Sequence, residues 1–72
     1  MTLADILFDK KIYNKDVCIK YLNNFGYKPI DKVSETDIFY SYKISHENES
    51  YEYKVIGGDH GVFFNVGFLK SS

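Results

Sequence analysis

Cys18 and His60 are the side chains best suited to nucleophilic chemistry in this 72-residue chain, as its one thiol and the imidazole that could activate it. Such a pair works only within hydrogen-bond reach and with a third group orienting the histidine. Cys18 falls on the apolar stripe of a predicted helix, where a buried and inert thiol is the expectation. Asp59-His60 in one loop, and His46 with Glu47 and Glu49 in another, are metal-ligand types. Each set is too small and too local for a closed site, and Asp and His are common turn residues. Gly57-Gly58-Asp59-His60-Gly61 lacks the following helix and the Lys-Ser/Thr pair of a phosphate loop, so its glycines are assigned to hairpin backbone. Tyr40, Tyr42, Tyr51 and Tyr53 have the composition of a base-stacking platform, but alternation places them with Phe and Val on a core face. No convergent acid, base or nucleophile set emerges, and the expectation is a protein without enzymatic activity, cofactor or metal.

Composition narrows the partner class. Net charge is −1, and all nine basic residues are Lys. Arg, the residue of choice for bidentate phosphate, guanine and carboxylate recognition, is absent. Binding to nucleic acid through bulk positive charge is therefore disfavoured. A single cysteine excludes an internal disulfide and suits a reducing compartment. No apolar run approaches the roughly 18 residues of a membrane helix, and Met1-Thr2-Leu3-Ala4-Asp5 has no basic leader, so a cytoplasmic location without membrane contact is expected. Residues with AT-rich codons (Phe, Tyr, Met, Ile, Asn, Lys) dominate those with GC-rich codons (Gly, Ala, Arg, Pro), which points to an AT-rich bacterium, a phage or another mobile element.

The elements that must position these residues belong to a single domain over 1–72, of α+β class: two N-terminal helices packed on a three- to four-stranded antiparallel β-meander. Thr2 with Asp5 can cap a first helix, on which Leu3, Ile6 and Leu7 have helical spacing, ending near Lys10-Lys11. Asn14 caps a second over 15–25, with Val17, Cys18, Tyr21, Leu22 and Phe25 as one stripe and Gly26 as its left-handed stop. Tyr27 to Val33 reads as an extended edge segment and 34–37 as a turn. Three alternating runs over 38–69 then form the meander. The register expected there sets Tyr42 opposite Tyr53 and Tyr53 opposite Phe64, turning Tyr40, Tyr42, Tyr53 and Phe64 inward against Tyr21 and Phe25. Lys43 would face Glu52 across the reverse side.

That reverse side gathers Phe39, Ile56 and Phe63, an apolar cluster on a face that should be wet. With Lys43, Lys54, Asn65 and Phe68 it is the expected partner-binding surface. The last strand, apolar on both faces and at the sheet's edge, invites a homodimer or a partner strand. The functional expectation is a small protein-binding module, encoded by a phage or mobile element, that inhibits or modulates a host protein.

The helix followed by Phe25-Gly26-Tyr27-Lys28-Pro29-Ile30 and a three-stranded meander resembles the HicA mRNA-interferase toxins, with their double-stranded-RNA-binding-type fold. In that family the catalytic histidine lies at the start of the second strand. Here the region reads Glu35-Thr36-Asp37-Ile38 and the final helix is missing, so the nuclease activity does not carry over. What the resemblance leaves is an alternative, a nucleic-acid-associated module using Lys10, Lys11, Lys15, Lys20, Lys43 and Lys54 for phosphates.

Overall fold

The computed structural model describes residues 1–70. Strand β1 (Thr2–Asp9) is followed by helix α1 (Lys15–Asn24) and the short β2 (Ser34–Glu35). Strands β3 (Phe39–Lys43), β4 (Tyr51–Gly57) and β5 (Val62–Leu69) complete a five-stranded antiparallel sheet in the order β2-β3-β1-β5-β4. The α+β class is as expected, but the arrangement of two helices on a meander is not. The N-terminal segment is the central strand.

The reason lies in its side chains. Ala4, Ile6 and Phe8 alternate with Asp5, Leu7 and Asp9, a period of two. Ala4, Ile6 and Phe8 have no solvent exposure, and burial of each larger side chain is worth roughly 1.5–3 kcal/mol. A strand apolar at so many positions is stabilised by neighbours on both edges, and β1 pairs with β3 on one side and β5 on the other. Its register shifts between Leu3 and Asp5, a bulge that turns both Leu3 and Ala4 toward the core. The strand stops at Asp9, whose carbonyl accepts from the amides of Ile12 and Tyr13 and whose carboxylate accepts from Lys11.

The expected β3–β4 hairpin does not form, because β1 takes that place beside β3. Past Lys43 the chain stays on β1: the amides of Ile44 and Ser45 donate to the Ala4 carbonyl, and the Ser45 hydroxyl to that of Leu3. Residues 44–50 then cross to β4 at the far edge. The β4–β5 hairpin does form, in a different register. Tyr53 lies opposite Gly67, not Phe64, a slip of three residues. An odd slip exchanges the two faces of a strand. Its cause is the turn. The Gly58 amide donates to the Val62 carbonyl, and a 3₁₀ turn over Asp59–Gly61 fills the gap with Gly58, His60 and Gly61 all at positive φ. Lys43 therefore faces Asp5, and Glu52 faces Phe68.

Helix α1 follows its sequence signals closely. Asn14 is the N-cap, its side chain accepting from the Val17 amide at 2.9 Å. At the other end the Tyr27 amide donates to the Leu22 carbonyl and that of Gly26 to Asn23, with Gly26 at φ 76°. This is the paired-bond stop that a left-handed glycine permits. Cys18 and Leu22 face inward onto Ile6, Phe8, Tyr42 and Val62. Phe8 meets the rings of Tyr13, Tyr21 and Tyr42 edge-on. Of the quartet expected inside, Tyr40, Tyr42 and Phe64 turn to this core, whereas Tyr53 sits on the opposite face of the sheet. Phe25, expected on the stripe, is 64% exposed. The segment 27–33 is irregular, held to β3 by the Ile30 amide on the Lys43 carbonyl, and the expected turn at 34–37 begins instead as β2.

Candidate functional site

One helix of ten residues lies over part of one face of the sheet, the covered face. The other face, the open face, carries a set of side chains whose rows follow from the registers. Ser34, Ser41, Leu7, Phe63 and Gly57 lie side by side across all five strands. The next row is Lys43, Asp5, Asn65 and Val55. Phe39 lies beside Asp9, and its ring meets that of Phe63 edge-on at 5.2 Å. Toward the far edge, Tyr53 lies across Gly67, where an added Cβ would stand 2.6 Å from the Tyr53 ring. Tyr51 stacks edge-on against Tyr53.

The open face thus has an apolar end and a polar end. Phe39, Leu7 and Phe63 make the first, bordered by a shallow cleft of about 200 Å³ that Lys10, Lys11 and Ile38 also line. At the second, the Asn65 amide donates to the Asp5 carboxylate at 2.8 Å and reaches Glu47 at 3.5 Å. A polar groove beside it is lined by Asp5, Asp31, Lys32, Ser34, Ser41 and Lys43. The 44–50 loop reaches only this end and the tyrosine rim, where the Asn48 amide donates to the Tyr53 hydroxyl.

At the β2 end of the sheet three charges are engaged among themselves. Lys15 lies 2.6 Å and Lys10 3.4 Å from the Glu35 carboxylate, and both ammonium groups sit over the Tyr40 ring. The hydrogen bond from Lys15 holds the Glu35 carboxyl below its usual range and raises the Lys15 ammonium. Burial pushes the Cys18 thiol up, and burial together with Cys18 pushes the Tyr42 hydroxyl to about 12. A fully buried thiol held in its protonated form is a poor nucleophile. His60 is exposed in the β4–β5 turn, where its carbonyl accepts from the Tyr13 hydroxyl. Among the described residues, no group of three or more His, Cys, Asp or Glu side chains could hold a metal ion.

The expected contact residues divide between the two faces. Phe39, Lys43, Phe63 and Asn65 meet on the open face, within the rows above. Lys54, Ile56 and Phe68 lie on the other side: the register turns β4 over, so that Lys54 pairs with Val66 and Ile56 with Phe64, and Phe68, opposite Glu52, alternates with Asn65 and Gly67 along β5. There Ile56 helps line an apolar cleft with Met1, Leu3, Tyr27, Phe64 and Val66, beyond the reach of α1. Nor is β5 an edge; it lies between β1 and β4. The open face also holds residues that the sequence reading passed over: Asp5 and Leu7 on β1, and Tyr51, Tyr53 and Val55 on β4. The alternation of Asp5, Leu7 and Asp9 with Ala4, Ile6 and Phe8 was the available signal for the first two.

No protein-family model, no characterised protein and no solved structure matches this chain.

Proposed function

We propose that the protein is a non-enzymatic binding module that engages a protein partner through the open face of its sheet. The observation behind this reading is the cluster of Phe39, Leu7 and Phe63, partly exposed and adjacent, with a hydrogen-bonded polar group of Asp5 and Asn65 next to them. An apolar cluster bordered by fixed polar groups has the composition of a protein interface core and its rim. Tyr51 and Tyr53 add rigid amphipathic area of the kind enriched at interface hot spots. The finer reading, in which the partner is a host protein inhibited by a phage- or mobile-element-encoded chain, draws on the AT-rich codon composition for the source and on the compact, arginine-free, aromatic-rich make-up of the chain for the role.

The nucleic-acid alternative has less behind it. Lys10 and Lys15 share Glu35, while Lys43 and Lys54 lie on opposite faces, so these cations do not form one phosphate-tracking stripe. The helix-then-meander order on which the HicA resemblance rested is also replaced by a sheet built around β1.

The test is affinity capture from lysate with the unmodified chain, Phe63→Asp and Lys28→Ala. A specific protein partner should be retained by the first and by Lys28→Ala, and lost with Phe63→Asp. Thermal or urea unfolding should show Phe63→Asp losing less than about 2 kcal/mol against the parent, short of the larger losses that core substitutions bring. Capture unchanged by Phe63→Asp would remove the open face from the reading. Salt-sensitive retention of RNA or DNA instead of protein would favour the alternative.

A further inference from the structure

The two edges of the sheet are unequal. One is β2, with two residues; the other is β4, with seven, free of proline and, among the described residues, paired only on its β5 side. The direction of its backbone groups follows from its turns. The Lys70 amide donates to Ser50 and that of Gly58 to Val62, so the even-numbered residues of β4 aim their amides and carbonyls at β5. The odd-numbered residues Tyr53, Val55 and Gly57 then aim theirs outward, away from the sheet. An edge of this length with unmet backbone groups is a template for another strand.

We infer that β4 pairs antiparallel with β4 of a second copy of this chain, in the register that sets Tyr53 opposite Tyr53. A two-fold axis perpendicular to the sheet relates such strands, and it keeps each face continuous across the junction. Only registers that pair odd with odd and even with even residues are then allowed. In the Tyr53-centred register, Glu52 of each copy lies opposite Lys54 of the other, and Tyr51 lies opposite Val55, which is 60% exposed in the single chain. The Tyr53 residues exchange backbone bonds, and each Val55 amide meets a Tyr51 carbonyl. The neighbouring registers are opposed by charge: one sets Glu52 against Glu52 and the other Lys54 against Lys54. The Glu52-Tyr53-Lys54 triplet therefore both favours one alignment and disfavours its nearest competitors. The pairing uses the sheet edge and is independent of any partner on the open face.

Sedimentation across micromolar to millimolar concentrations tests this with four chains. The parent should associate to a dimer. Glu52→Lys and Lys54→Glu should each weaken the dimer by about tenfold, since two attractive cross-strand pairs become repulsive. The double exchange, carrying both substitutions, should restore it. Val55→Pro, which removes an outward amide at an edge position where proline is tolerated, should abolish association, with circular dichroism confirming the fold. A parent that stays monomeric throughout, or a double exchange no tighter than the single variants, would overturn the inference.

Discussion

Tyr42 is where a single side chain most clearly sets the protein's response to its surroundings. Its ring lies 3% exposed against Phe8, and its hydroxyl titrates near 12 instead of 10. A group whose folded pKa is raised contributes stability at pH values below the unfolded pKa, and that stability is lost as pH climbs through the folded one. The window here is pH 10 to about 12. The difference in urea stability between the parent and Tyr42→Phe should therefore shift across that window, with the parent losing on the order of 2 kcal/mol relative to the variant. Parallel curves would show that the hydroxyl is not desolvated. Glu35 behaves in the opposite sense. Its carboxyl is held low by Lys15 first and Lys10 second, so the contribution of that cluster is present at neutral pH and fades in acid, below about 4.5.

The elements are locked where two turns meet. Gly61, at φ 77°, lies under the turn that follows β1, and an added Cβ would come 2.6 Å from Ile12 and 3.2 Å from Asp9. The Tyr13 hydroxyl closes the same junction on the His60 carbonyl. Gly61→Ala should cost roughly 1–2 kcal/mol from the left-handed backbone alone, with the contacts adding to it, measured as a fall in the urea midpoint. A substitution without effect would mean that the two turns are not packed.

This junction also explains what the sequence could and could not tell. Helix α1 was legible because its determinants are local: Asn14, the apolar stripe and Gly26 lie within one short window. The β4–β5 hairpin was legible as a pair, but its register depended on three left-handed residues whose turn type the glycine pattern alone did not specify. Strand β1 was lost because Leu3, Ile6 and Leu7 also satisfy helical spacing, and its true partners lie some 35 and 60 residues away. The candidate surface differs from the expected one for the same two reasons: Asp5 and Leu7 enter it with β1, and Lys54 and Ile56 leave it because β4 is turned over.

At the scale of the whole molecule, the chain is elongated, about 41 × 20 × 20 Å, with α1 over one half of the sheet and the β4–β5 hairpin extending the other. No helix among the described residues is long and apolar enough to cross a membrane. Integrity depends on β5, which joins the central strand to the outer hairpin strand. A chain ending at Gly61 should show no cooperative thermal transition by circular dichroism, because it leaves Ile6 and Phe8 beside an open edge and removes Val62, Phe64 and Val66. A sharp transition in that shortened chain would show that β1, β3 and α1 form a self-sufficient unit.

The placement of β1 has a kinetic corollary. Among the strands described, β1 comes first in the chain and its neighbour β5 last, so β1 is paired on both edges only once the whole sheet is assembled. Closing Thr2 onto Gly67 spans almost the whole chain, and such high contact order slows folding.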